Sequence, residues 1–306
     1  MRGKPMRVVI NGATGLIARA LCKELVSSYE VIALSRNPKK AQAVLGPNIK
    51  VVKWNAGTAG HWVEQVDGAF AVVNLAGENI AGRWTRAKMQ RILESRLNAA
   101  KAIVDAIVSV KNKPAVLVQA SATGFYGSRG NAEIDENAGK GTGFLADVCE
   151  KWEQTAKPVE AVETRLVIVR SGMVLSRDGG ALPRMIRPFK FFLGGCPGNG
   201  KQWVSLISID DEVAAIRFLI ENKQLSGVFN LTTPAPITMK DLCRLIAKVL
   251  KRPCRLKIPA IVLRLIAGKM ADEVLLCSQR VLPNRLLKAG FKFTRPEIGE
   301  ILEGTF

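Results

Sequence analysis

The sequence predicts an α/β fold, a doubly wound parallel sheet with a smaller, mainly helical C-terminal lobe. Three observations predict it. Short apolar runs recur at Arg7–Asn11, Val31–Leu34, Lys50–Trp54, Ala69–Leu75, Ala115–Ala120 and Leu166–Arg170. Helically spaced stretches separate them, and a crossover helix between successive strands makes those strands parallel. From Thr238 onward the pattern is helical to the end.

The first run leads directly into Gly12-Ala13-Thr14-Gly15-Leu16-Ile17-Ala18 and a helical pattern at Leu21, Leu25 and Val26. Gly12 permits a tight turn, Gly15 lets the backbone approach a pyrophosphate, and small Ala18 lets the helix pack closely on the strand. This is a Rossmann-type dinucleotide turn, with Gly12, Thr14, Gly15, Leu16 and Ile17 as expected contacts. The second strand ends roughly twenty residues later, where a ribose is read. A reader of NAD(H) usually carries Asp or Glu there, whereas this chain has Ser35-Arg36 followed by Lys39 and Lys40. Charge-assisted pairing of Arg with a 2′-phosphate favours NADP(H) over NAD(H). The fourth run ends Asn74-Leu75-Ala76-Gly77, and Leu75, Ala76 and Gly77 form a small-residue edge against which a cofactor can lie. Asn74 and the following Glu78 serve equally well as ligand contacts or as loop chemistry.

A long helix is expected from Thr85 to near Val110, with Met89, Ile92, Leu93, Leu97, Ala100, Ile103, Val104 and Ile107 facing the core. Glycines and prolines between 176 and 206 predict a loop-rich excursion. Asp210 reads as the cap of a helix from Val213 to Leu219, and a last strand runs from Gly227 to Thr232. These elements divide the chain into a dinucleotide-binding unit, 1–230, and a lobe, 231–306, expected to close over the cofactor face as two or three helices.

The 306 residues are 48% apolar, enough for a large core. The net charge of +19 comes from Lys and Arg scattered over helix faces, without a basic tail or an aromatic-interleaved pattern, so no specific nucleic-acid partner is expected. It reads as solubility and attraction of anionic ligands: the dinucleotide and a small or nucleotide-linked substrate. The six cysteines lack any C-x-x-C pair and predict reduced thiols in a cytosol-like, cytoplasmic setting. Apolar residues after Met1-Arg2-Gly3-Lys4 belong to the first strand rather than to a leader. No apolar run reaches spanning length, and no membrane partner is expected. His61 is the only histidine, which excludes a Ser-His-Asp hydrolase and a His-rich metal centre; no metal ligands are assigned. The oligomeric state is open.

Several further segments carry a resemblance: Asn74–Ile80, Arg83-Trp84, Ser95-Arg96, Ser121–Gly127, Arg170–Leu175, Gly179–Leu182, Gly200–Trp203, Ile209–Asp211 and Gln279–Pro283. With Gly12–Ile17 they resemble an extended short-chain dehydrogenase/reductase, and more narrowly its atypical "epimerase family protein", or sugar-nucleotide epimerase-like, branch. The match covers nearly the whole chain and is far more specific for family and fold than for a reaction. The resemblance implies a proton-transferring Tyr with a Lys four residues on, but those slots hold Phe144 and Val148. The superfamily's Ser or Thr slot falls on Ala122, with Ser121 and Thr123 as neighbours. Tyr126 is the one tyrosine near the expected nicotinamide, as general acid or as a wall residue; Tyr126 and Ser121 are the catalytic candidates. Arg96, where the superfamily often has Asn, is expected to meet cofactor phosphate or ribose. Two function classes follow. One is an NADP(H)-dependent oxidoreductase or epimerase-like enzyme with a non-standard acid or a water. The other is a catalytically weak dinucleotide-binding sensor or regulator, which the association of some relatives with cell or organelle division fits.

Overall fold

The computed structural model describes residues 6–55 and 60–305. Seven strands, β1 (Arg7–Asn11), β2 (Glu30–Ser35), β3 (Lys50–Lys53), β4 (Ala71–Asn74), β5 (Val116–Ala122), β6 (Arg165–Ser171) and β7 (Gly227–Leu231), form one sheet in the order β7-β6-β5-β4-β1-β2-β3. Every pairing is parallel. Strand order reverses between β1 and β4, and the crevice at their carboxyl ends is where open α/β sheets take ligands.

Alternation along each strand feeds two cores. Val8 and Ile10 of β1 face α1 (Leu16–Leu25), while Val9 faces the opposite layer. That layer holds α3 (Arg86–Ser109), capped by the Thr85 hydroxyl, and α4 (Phe144–Ala156); α2 (Pro38–Leu45) follows β2. Both faces are covered, so the strands read as continuous apolar runs.

Two elements depart from the sequence expectation. The 176–206 excursion contains a helix, α5 (Leu182–Lys190), because Leu182, Ile186 and Phe189 share one face. Pro183 sits harmlessly in its first turn and Pro188 just before its end. The helix after it, α6 (Ile209–Glu221), packs beside α1 and starts earlier than expected: Ser208, not Asp210, is its cap, accepting from the Asp211 N–H at 2.9 Å. The lobe comprises α7 (Met239–Leu250), α8 (Ala260–Ala267), α9 (Asn284–Lys288) and α10 (Ile298–Glu303) among the described residues, more helices than expected. Leu242 and Ile246 of α7, Ile301 and Leu302 of α10, and α5 form a third core. All six cysteines are free thiols.

Candidate functional site

A cleft of about 690 Å3 opens at the carboxyl ends of β1, β2 and β4, lined by the Gly12–Gly15 turn, Ser35–Asn37, Lys40 and Leu75–Glu78. Below it lies a ladder of amides. Asn11 Nδ2 donates to Asn74 Oδ1 at 3.1 Å, and Asn74 Nδ2 donates to Gln119 Oε1 at 3.0 Å. Gln119 Nε2 then donates to the Ala120 carbonyl at 2.9 Å, and Asn11 Oδ1 accepts the Gly12 N–H at 2.9 Å. All three amides are buried, where an unpartnered one would cost about 1–3 kcal/mol, so the satisfied chain locks the ends of β1, β4 and β5 in register. Each amide was visible as a polar residue within an apolar run; only the sheet order reveals that they touch.

The two turn glycines do different work. Gly12 has φ +79°, and a Cβ there would lie 2.8 Å from the Ala76 backbone, so the loop after β4 is seated directly on it. At Gly15 a Cβ would meet only the Gly12 carbonyl oxygen, at 3.2 Å. Gly15 is the N-cap of α1, no side chain caps that helix, and its first turn has no acidic residue. The N–H groups and positive dipole end of α1, at Leu16 and Ile17, are therefore left to an anion. Thr14 is exposed at the turn, while Leu16 packs beneath Gly179-Gly180.

Beyond β2, Ser35 and Asn37 close a turn on each other at 3.2 Å, and Asn37 caps α2 through the Lys40 N–H at 3.1 Å. Arg36 is left exposed on the cleft wall, without a hydrogen bond or ion pair among the described residues. On the opposite wall the loop after β4 is stitched to α3. Glu78 gives its N–H to Ser95 Oγ at 2.9 Å, accepts Arg96 on its carbonyl at 3.1 Å, and pairs its carboxylate with Lys88 at 2.7 Å. The Lys88 hydrogen bond holds that carboxyl below its ordinary range.

Arg96 differs from expectation. Its guanidinium lies beneath Gly77, where a Cβ would come within 3.2 Å of Cζ, and 5.1 Å over the Trp152 ring. NH1 is committed to the Glu78 and Ile92 carbonyls, and Arg96 is absent from the cleft lining. It shapes the wall from behind.

Tyr126 and Ser121 also lie in unexpected company. Tyr126 is fully buried; its hydroxyl donates to Asn230 Oδ1 at 2.7 Å and accepts from Arg170 NH1 at 3.0 Å. Burial pushes the phenol pKa up. Arg170 in turn grips Glu153 with two bonds of 2.8 Å, and the Ser121 hydroxyl donates a hydrogen bond to Glu153 Oε1 at 2.6 Å. Tyr126, expected near the nicotinamide as general acid or wall residue, is thus placed inside an ionic core. Glu153 and Arg170 escaped sequence reasoning because their pairing depends on how α4 and β6 are brought together in the fold. At the slots of the missing dyad, Phe144 packs edge-on against Trp84 with centroids 5.3 Å apart, and Val148 is buried.

The lobe closes this end of the sheet. Glu273 accepts the Phe144 and Leu145 N–H groups at 2.9 and 2.8 Å, capping α4. Gln279 Nε2 donates to the Thr123 and Gly127 carbonyls at 2.9 and 3.0 Å. Among the described residues no cluster of His, Cys, Asp or Glu could hold a metal ion.

Residues 8–232 match the model of the NAD dependent epimerase/dehydratase family. The chain belongs to that family. Residues 258–304, which carry Glu273 and Gln279, match a domain of unknown function, DUF1731. An "Epimerase family protein" of Mycobacterium leprae is 36% identical over 298 residues, covering 96% of this chain and 94% of the relative. The chloroplastic SDR39U1 homolog of Arabidopsis thaliana is 37% identical over 94% of this chain and 83% of its own. The crystal structure of human epimerase family protein SDR39U1 with NADPH superposes with a TM-score of 0.88 at 31% identity, covering 98% of this chain and 99% of that one. The Rossmann-type fold expected from the sequence is the fold of this family member.

Proposed function

We propose that the chain binds NADP(H) in this cleft and is an oxidoreductase acting on a small or nucleotide-linked anionic substrate without the Tyr-x-x-x-Lys pair. The observation that carries the reading is the conjunction of an uncapped α1 N-terminus with an uncommitted Arg36 on one cleft wall. The residues fit the dinucleotide. Leu16 and Ile17 offer backbone N–H groups to its pyrophosphate, with Thr14 beside them, while Gly15, whose own N–H is spent on the Gly12 carbonyl, leaves room for it. Arg36, with Lys40, offers cations to a 2′-phosphate where a carboxylate would have repelled it, and Ser35 holds the turn that presents Arg36. Leu75, Ala76 and Gly77 give it a flat apolar edge. The human relative solved with NADPH supports the same choice.

When bound, the dinucleotide supplies a hydride donor or acceptor; this chain's residues hold and orient it. Trp84 and Phe144 make an apolar wall that excludes water at the slot of the missing Tyr. Ser121 and Tyr126 direct their protons to Glu153 and Asn230, so in this arrangement neither is free to protonate a developing alkoxide. We assign the proton to a water or to the substrate itself, and Tyr126 to the support of β6 and β7. The same observation favours a second reading, a dinucleotide-binding sensor with little turnover.

Titration with NADPH and NADH, followed by a carbonyl panel with NADPH oxidation read optically, tests both. NADPH is expected to bind more tightly, and Tyr126→Phe to keep the wild-type rate while losing about 1–3 kcal/mol of stability from the unpaired Asn230 and Arg170 groups. A rate loss of roughly 100-fold or more in the folded Tyr126→Phe enzyme would restore the phenol as general acid. Silence across the panel with tight NADPH binding would select the sensor reading.

A further inference from the structure

The excursion and the lobe meet through two segments that contain no acidic residue. Between Gly179 and Ile209 the chain has four Lys or Arg, and between Leu242 and Ala271 it has eight; neither segment contains Asp or Glu. The segments are joined by parallel pairing of Gly195–Pro197 with Leu256–Ile258 and by the shared core of α5 and α7. Of the twelve cations, Arg244 and Arg264 pair with Asp241 and Asp272, and no other makes an ion pair among the described residues.

Exposed apolar side chains rise within this basic field. Phe191, Phe192 and Leu193 after α5, and Ile261, Leu265 and Ile266 on one side of α8, are each 60–70% exposed. Exposed Leu256 stands between them on the strand that leads into α8, and the Arg252 guanidinium lies 4.6 Å over the Phe192 ring. Isolated exposed apolar residues are ordinary; a cluster of this size rimmed by cations marks an interaction surface. A second copy of the chain would bring the same cations against these and be repelled. No helix among the described residues is long and apolar enough to cross a membrane, so a bilayer would be met at its surface.

We propose that this face docks on an anionic lipid bilayer. Phe191, Phe192 and the Ile261–Leu265–Ile266 side of α8 enter the headgroup boundary, while Lys190, Arg252 and Lys257 meet lipid phosphates. The cofactor cleft contributes no residue to this surface.

Flotation of the full chain with vesicles of phosphatidylcholine alone, or mixed equally with phosphatidylglycerol, tests the proposal. Binding is expected only to the mixed vesicles and is weakened by salt. Phe192→Ser combined with Leu265→Ser should weaken it by about tenfold or more. Lys190→Glu combined with Arg252→Glu should weaken it by at least roughly fivefold for each cation lost. Circular dichroism melts should show both variants folded. No flotation with anionic vesicles, equal flotation with neutral ones, or undiminished flotation of both variants would overturn the proposal. So would a concentration-dependent dimer abolished by the apolar pair, which would make a second copy the occupant.

Discussion

Glu212 has the largest stake in pH of any acidic group in the core. It lies in the first turn of α6, fully buried, with Oε1 accepting the Ser171 hydroxyl at 2.6 Å and Oε2 without a partner. Burial pushes its carboxyl from 4.5 up to about 8. Below the unfolded value both states hold the proton and nothing is lost. As pH rises above it, the unfolded chain releases a proton that the folded chain keeps, so stability falls by about 1.4 kcal/mol per pH unit until the folded carboxyl also ionises near pH 8. Between pH 5.5 and 8 that amounts to about 3 kcal/mol. Glu212→Gln keeps the shape and the acceptor for Ser171, and its unpaired amide N–H replaces the equally unpaired hydroxyl of the protonated acid. The variant is therefore expected to exceed wild type by about 1.4 kcal/mol at pH 5.5 and by about 4 kcal/mol at pH 8, a gap that widens by about 3 kcal/mol. Urea unfolding at the two pH values measures the gap. A gap that stays constant, or that widens toward acid, would refute a carboxyl held protonated by burial.

The two glycines of the first turn should separate cleanly. Gly15→Val should fold with only a small loss of stability and lose dinucleotide affinity, because beyond the 3.2 Å approach of its Cβ to the Gly12 carbonyl oxygen its side chain enters the cleft, whereas Gly12→Ala should lose more stability, its Cβ being 2.8 Å from the Ala76 backbone. Unchanged NADPH affinity in folded Gly15→Val would remove the turn from the site. Arg36→Ala should weaken NADPH roughly 30-fold and leave NADH unaltered, as for one charge-assisted pair; calorimetry with both cofactors checks the contrast. Glu273→Gln leaves one of the two α4 N–H groups facing an amide instead of a carboxylate and should cost about 1 kcal/mol of stability, read by urea denaturation.

What the sequence made legible was local. The β1 turn, the end of β2 at Ser35-Arg36 and the span of α3 each follow from residues a few positions apart, where strand alternation, helical period and capping act. What stayed hidden depends on distant partners. Tyr126 is adjacent in sequence to the loop after β5, but its hydroxyl is claimed by Asn230, 104 residues on. Arg96 sits on the expected helix, yet the loop over Gly77 bends so that the guanidinium serves carbonyls behind the wall. α5 was obscured because two prolines argue against a helix unless an apolar face has a core to meet, and that core is supplied by α7 and α10. The cap of α6 was misplaced by two residues because Asp and Ser compete as caps. The Asp210 carboxylate pairs instead with the Arg295 guanidinium of the lobe, at 2.9 Å.

The helix ends at the carboxyl side of the sheet differ in what meets them. Two helices, α1 and α4, begin there behind glycines, and each would offer unsatisfied N–H groups and a positive dipole end. At α4 the lobe supplies Glu273, whose two oxygens take the Phe144 and Leu145 N–H groups, so that end is neutralised from within. At α1 nothing intrudes, and a carboxylate across the cleft, Glu78, is tied down by Lys88. In the proposed reading, a diphosphate is thereby steered to the Gly12–Gly15 turn rather than to the slot of the missing Tyr. The same lobe segment that seals α4 also fixes the Thr123 and Gly127 carbonyls through Gln279, so it sets the shape of the pocket's far end while leaving the phosphate end to the Gly12–Gly15 turn.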